Sequence, residues 1–488
     1  MSIIDEKYKA LILLLIVSFI IKLWVWYRTP VVNPDAFEYI EQAKLIYKGK
    51  ISAAKNCGKK YLSLYHFFIP AFYNIFKDWV FSARALSFFF AVISVIPVFF
   101  SFLLITDETS AFLSSLMFAV NPFLCRMSSE VIKDQMFWFL LSLGLLFSLY
   151  WFQKRKLLYF FLSIFIFVLS SFTRIEGVLF LFLFPFFVVI QSNKRFYYII
   201  YILSIIVLIT VILFRTNFWD FYLAPRLKLM LSFKYFSIDN LLNISPHILG
   251  GILYIFSIPF FVLFFIGLKG LLPSLKRIEF KYLLMLGTFS IIFLTILFGF
   301  ICFSRRYLVI FFFPYFLLIA PCISFIVNKW QNNVYKNKLV LLLSIFIIVT
   351  SFSYNIKERR KDCLVYKEAG DYISQQQYRS FVAVLTNDRR VDLYANRTSL
   401  TSFCDTKVLT NIKIFNLTKK EIISYLIKNQ IKYVFWEKEK WQKEINFPFL
   451  ILIKKWNEKD NIFKLYKVNI KNENLCNNSY KKCRKVPK

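Results

Sequence analysis

Glycine and proline are scarce in this chain, 11 and 14 among 488 residues, and there are only two histidines. Scarce glycine and proline exclude collagen-like, low-complexity and disordered classes. Two histidines, His66 and His247, with no thiolates at metal spacing, leave no basis for a zinc site. Acidic residues are also few: 28 Asp and Glu face 62 Lys and Arg, a formal charge of +34. In a soluble chain that surplus would point to nucleic acid. What fills the chain instead is apolar, 58% hydrophobic with 61 Phe, well above the roughly 45–50% of soluble domains. The expected class is therefore a polytopic α-helical membrane protein, and no nucleic-acid partner is expected. Its basic residues flank cytoplasmic helix ends, meet anionic membrane lipid and can hold a lipid phosphate.

The apolar surplus lies before residue 355. A first helix is expected over about Tyr8 to Tyr27, too long for a signal-peptide core and followed by no small-residue cleavage site, so it reads as retained. A polar stretch, Arg28 to Asp78, follows as an outer loop, with Glu41 and Lys44 on an amphipathic surface helix. Further runs fall near Trp79–Ile105, Ser110–Leu124, Gln135–Phe152, Leu157–Phe172, Gly177–Ile190, Phe196–Phe214, Ile248–Leu268, Tyr282–Ile301, Tyr307–Val327 and Leu339–Tyr354. With the first helix that makes about eleven spans of bilayer length. Only Thr173-Arg174-Ile175-Glu176 interrupts Leu157 to Ile190, which predicts a hairpin of two short helices. Loops 153–156, 192–195, 269–281 and 328–338 are rich in Lys and Arg, which sets the N-terminus inside and the C-terminus outside. The expected division is a transmembrane domain over 1–354, with outer loop 28–78, and a small extracytoplasmic α/β domain over 355–488.

In that second domain, helices are expected at Leu364–Gln376 and Thr418–Asn429, the latter opened by a Thr418/Glu421 capping box. Strands are expected at Phe381–Thr386, Ile431–Trp436, Phe449–Ile453 and Phe463–Val468. Cys125 and Cys322 read as small buried thiols, whereas Cys363, Cys404, Cys476 and Cys483 could form disulfides in an extracytoplasmic domain.

Ionisable residues beside apolar segments are costly and mark function more often than in soluble proteins. Asp35, in Asn33-Pro34-Asp35-Ala36-Phe37-Glu38-Tyr39, is either a helix-start carboxylate or a general base tuned by desolvation. Arg126, Glu130, Lys133 and Asp134 share one short outer loop, as a surface ion-pair cluster or as groups for an acceptor, a metal and phosphate oxygens. Arg174 and Glu176 sit at the hairpin tip and could simply pair. Arg305 and Arg306 precede the Tyr307–Val327 span, as headgroup anchors or as a fork for a phosphate.

The order of these motifs resembles a known family. Pro34-Asp35 and Tyr39 lie after helix one, then Asn121-Pro122 leads into Arg126, Ser128 and Asp134, then Thr173-Arg174, Glu176-Gly177, and Arg306-Tyr307 before Pro314. This is similar to the type C, polyprenyl-phosphate-sugar-dependent glycosyltransferases, the group containing protein O-mannosyltransferases and lipid A aminoarabinose transferases. Lys367 to Ile373 and Val384 to Asp388 resemble the soluble domain that follows the last span in many members. Many members carry two consecutive acids where this chain has Asp35-Ala36, so a second role would pass to Glu38. The resemblance implies that Asp35 is the catalytic carboxylate, assisted by Asp134 or Glu130. It implies that Arg306, with Arg305, Arg174 and Arg126, binds the donor phosphate, and that Glu38, Tyr39 and Glu176 stand behind them or at the acceptor. The implied partners are a polyprenyl-phosphate-linked sugar and an acceptor glycan, lipid or protein. No cofactor is fixed, and a divalent cation is left open.

Two rival readings stay beside it. A transporter or flippase suits many spans with charges, although scarce glycine and the absence of an evident repeat argue against it. A surface-polysaccharide polymerase or ligase would place its catalytic residues in a late outer loop such as Arg215 to His247.

Overall fold

The computed structural model describes residues 6–58, 62–191, 199, 202, 205–206, 238–300, 305–329, 333–377, 380–406, 419–441, 447–458 and 461–470. The contacts divide the chain into two units. The first holds 1–30, 59–72 and 81–359; the second holds 31–58, 73–80 and 360–488. Much of the expected outer loop thus clusters with the C-terminal segment.

The helices run in order α1 Glu6–Tyr27, α2 Ala36–Tyr47, α3 Ile51–Asn56, α4 Leu64–Phe76, α5 Trp79–Ile93, α6 Val95–Ile105, α7 Glu108–Ala119, α8 Pro122–Ser128, α9 Asp134–Lys154, α10 Leu157–Thr173 and α11 Gly177–Gln191. They continue as α12 Ile238–Ser274, α13 Ile278–Phe300, a 3-10 turn Arg305–Leu308, α14 Val309–Leu317, α15 Ile319–Asn328 and α16 Asn333–Asn355. Among the described residues, 7 helices are long and apolar enough to cross a membrane, or up to 8 if the bent pair α7 and α8 makes one span. The protein is an integral membrane protein. The expected hairpin is present as α10 and α11, while the expected run near Phe196–Phe214 and most of the segment 215–247 lie outside the described residues.

In the membrane unit the interior is built largely from aromatic side chains. Trp151, Phe152, Phe160, Phe184, Phe187 and Tyr282 meet edge to face or tilted, with centroids 4.9–6.2 Å apart. Helix ends gather at two poles. At one, Arg277 donates to the Ile105 carbonyl at 3.0 Å, and Asp107 caps α7 through the Ser110 amide at 3.0 Å while accepting from Ser324 at 2.7 Å. Away from it lie Asp134 at the start of α9 and Arg174 and Glu176 at the tip between α10 and α11.

The second unit holds a four-stranded sheet, β1 Ala383–Leu385, β2 Ile431–Glu437, β3 Leu450–Glu458 and β4 Asn461–Val468, in the order β1-β2-β4-β3. β1 and β2 are parallel; β4 is antiparallel to both β2 and β3. The expected helix Leu364–Gln376 is present as α17, followed by α18 Arg389–Ala395, α19 Phe403–Thr406, α20 Lys419–Lys428 and α21 Lys438–Trp441. All four expected strands are there. Thr418 of the expected capping box lies outside the described residues.

Helix α2 differs from its expectation as an exposed amphipathic helix. Glu41 and Lys44 are buried and pair at 2.9 Å. The Lys44 ammonium also donates to the Asn396 carbonyl at 3.2 Å, and Glu41 accepts from Ser402 Oγ at 3.0 Å and from the Phe403 amide. Phe37 packs edge-on against Phe403, and a disulfide joins Cys57 to Cys404 with their Cα atoms 5.7 Å apart. Burying this charged pair is tolerable because its hydrogen-bonding groups find partners within the unit.

Candidate active site

Asp134 opens α9, where the helix amides favour a carboxylate. Its partner comes from the hairpin tip. Gly177 lets α11 start hard against α10: a Cβ there would lie 2.6 Å from the Ser171 amide nitrogen. This turn directs the Arg174 guanidinium inward, where it forks onto Glu176 at 3.1 and 2.7 Å and ion-pairs with Asp134. The Arg174 face stacks on Tyr307, 4.9 Å from the ring centroid. All three charged groups are buried. Burial alone would raise the Glu176 carboxyl, yet the charge and hydrogen bonds of Arg174 bring it down to about 2. The cluster holds two carboxylates against one guanidinium.

A second group surrounds Tyr254 of α12. Arg126 of α8 donates to the Tyr254 hydroxyl and lies over its ring at 5.5 Å, and it donates to the Tyr354 carbonyl. Arg305 lies over the same ring at 5.4 Å. Two guanidinium groups thus share one aromatic ring. Arg359 ion-pairs with Glu130 at 3.3 Å and donates to the Arg126 carbonyl at 3.2 Å. Arg306 is half-buried in the 3-10 turn beside Tyr307.

Asp35 stands in the second unit as the residue before α2, half-buried, with no capping hydrogen bond from its side chain to the helix. Its position at a helix start therefore does not make it a side-chain cap. Glu38 is half-buried, one turn on, against Gly58 at φ +83, and Tyr39 is buried. The structure thus brings Asp134, Arg174 and Glu176 together, joins Arg126 and Arg305 through Tyr254, and pairs Glu130 with Arg359. Among the described residues, no three His, Cys, Asp or Glu side chains converge as metal ligands.

Two buried cations were not singled out by sequence reasoning. Arg84 donates to the carbonyls of Ser129, Trp26 and Thr29 at 3.1, 3.2 and 2.7 Å and stacks on Trp26. Lys22, in α1, donates to the Ala119 carbonyl at 2.9 Å. Both are lone cations inside apolar runs, which was the available signal.

A profile for dolichyl-phosphate-mannose-protein mannosyltransferases matches residues 63–214. A comparison with curated proteins finds no match. Among solved structures, ArnT from Cupriavidus metallidurans bound to undecaprenyl phosphate is similar with a TM-score of 0.61 at 10% identity, covering 93% of this chain and 97% of that one. Its apo state gives 0.59 at 11% identity, over the same shares of both chains, 93% and 97%. The apo oligosaccharyltransferase of Archaeoglobus fulgidus gives 0.51 at 12% identity, covering 89% of this chain and 70% of that one. The family resemblance read from the motifs is thus borne out, and the chain has the fold of the type C membrane glycosyltransferases.

Proposed function

We propose that this chain transfers a sugar from a polyprenyl phosphate to an acceptor hydroxyl on the extracytoplasmic face of a bacterial membrane. The observation that carries the reading is the mannosyltransferase match over 63–214, because that segment contains Arg126, Glu130, Asp134, Arg174 and Glu176. Asp35 accepts the proton of the acceptor hydroxyl. The freed oxygen bonds to the anomeric carbon as the bond from that carbon to the phosphate oxygen breaks, with inversion, and the electron pair leaves on the phosphate. A phosphate departs readily, so no strong general acid is needed.

Arg306 and Arg305, with Arg126, meet the charge growing on the departing phosphate; a guanidinium fork matches its oxygens. Arg174 donates to Asp134 and Glu176, which supports a role in orienting the Asp134 carboxylate. Glu130 is assigned to assist the catalytic carboxylate, and Glu38 and Tyr39 to the acceptor or to support of Asp35.

Purified protein incubated with radiolabelled polyprenyl-phosphate sugars should release the lipid phosphate together with a labelled product. Asp35→Asn should insert normally and lose transfer by at least about a hundredfold, the low end of a general base's contribution. Full activity in that variant would remove Asp35 from the chemistry, and no turnover of any lipid-linked sugar by the wild type would sink the reading.

A further inference from the structure

Lys22 is fully buried in the first span, where a cation is costly unless it performs some task. Its surroundings identify the task. Helix α7 ends at Ala119, and α8 leaves at 52° after a break at Val120 and Asn121. The sequence dictates that break. Pro122 has no amide hydrogen to continue the ladder, and the Asn121 side chain captures the next two amides, Phe123 at 3.0 Å and Leu124 at 3.1 Å. In an unbroken helix the Phe123 amide would bond the Ala119 carbonyl. Here that carbonyl accepts instead from the Lys22 Nζ, at 2.9 Å. Lys22 therefore supplies, from another helix, the hydrogen bond that the break removes.

The other side of the break is fixed as well. The Asn121 amide group donates to the Ile255 carbonyl at 2.7 Å, in α12 next to Tyr254 and two residues before Ser257, which takes the left-handed value φ 69. Helix α8 then carries Arg126 to the Tyr254 hydroxyl and ring. One connected path of hydrogen bonds and short chain segments runs from α1 through the break to the arginine pair around Tyr254.

We infer that Lys22 is a positioning residue for phosphate binding: by holding the Ala119 carbonyl at the α7–α8 break it sets where α8 presents Arg126. This rests on the proposed function for the identity of the ligand and for Arg126 as one of its contacts. The Cys125 thiol lies 3.5 Å from the same carbonyl and is buried, so it reports on the break independently of any ligand.

Lys22→Met, of similar length but without a donor, should weaken binding of polyprenyl phosphate to the purified full-length protein about tenfold, and Lys22→Arg, which keeps a donor, should stay within about twofold. Arg126→Ala should weaken binding comparably, and the double variant Lys22→Met with Arg126→Ala should be no weaker than Arg126→Ala alone. In membranes, alkylation of Cys125, read by peptide mass spectrometry, should accelerate in Lys22→Met while the buried Cys322 stays protected. Unchanged Cys125 alkylation, or effects of Lys22 and Arg126 that simply add, would overturn the inference. Acceleration at Cys322 too would mean general unfolding and would likewise overturn it. Absence of polyprenyl phosphate binding by the wild type would instead count against the proposed function, with the alkylation result still deciding the role of Lys22.

Discussion

At the scale of single residues, Arg174 decides whether its corner of the membrane unit is stable. It faces Asp134 and Glu176, both nearly free of solvent. Removing one partner from a buried ionic cluster costs about 3–5 kcal/mol, because the remaining charge is left uncompensated. Arg174→Gln should therefore lower the melting temperature of the detergent-solubilised protein sharply, and an unchanged temperature would show that water reaches the cluster. Glu176 adds a pH dependence whose sign is fixed. Its folded carboxyl lies at about 2, below the ordinary value near 4.3, so its contribution is complete above that ordinary value and is lost as pH falls toward 2. The gap in melting temperature between wild type and Glu176→Gln should narrow from about pH 5 downward; a constant gap across that range would contradict the ion pairing.

At the scale of elements, local patterning was legible and long-range partnership was not. Apolar runs ended by polar or charged residues marked α10 and α11, and amphipathic spacing marked α17, nearly to the residue, because a helix boundary depends on neighbours a turn away. The pairing of Arg174 with Glu176 could be read for the same reason, being two residues apart. Asp134 joining them could not, since 40 residues separate it from Arg174. Helix α2 was misjudged on the same ground: its charges look exposed until the segment 396–404 covers them. The clearest case is Cys57, which drew no notice although it pairs with Cys404 across a separation of 347 residues. That bond, with the Glu41–Lys44 contacts, ties the helix that follows Asp35 to the sheet-bearing part of its unit. Non-reducing digestion of membranes should yield one linked peptide containing both cysteines. Replacing both by Ser should destabilise the protein by about 2–4 kcal/mol, which thermal unfolding would register. Recovery of both cysteines alkylated from unreduced membranes would refute the linkage.

At the scale of the whole molecule, charge and redox chemistry argue independently for one orientation. Basic loops accumulate on the cytoplasmic side of membrane proteins, and here Lys154, Arg155 and Lys156 end α9 where Gln153 donates to the Leu104 carbonyl, at the same end of α6 that Arg277 reaches. Arg277 bonds the end of α6 at Ile105, so that pole of the membrane unit is physically one end. A disulfide, by contrast, persists on the oxidising side, and Cys57 and Cys404 belong to the segments that follow α1 and α16. Both lines favour the orientation proposed above, with Cys57 and Cys404 on the extracytoplasmic side of the membrane and the basic loops on the cytoplasmic side. Alkaline phosphatase, which needs disulfides to be active, should therefore work when fused after Asn355 and fail when fused after Leu275, while a fluorescent protein that matures only in the cytoplasm should give the reverse. The opposite pattern would place Asp35 in the cytoplasm, where the disulfide should not persist, and would remove the argument for an extracytoplasmic acceptor.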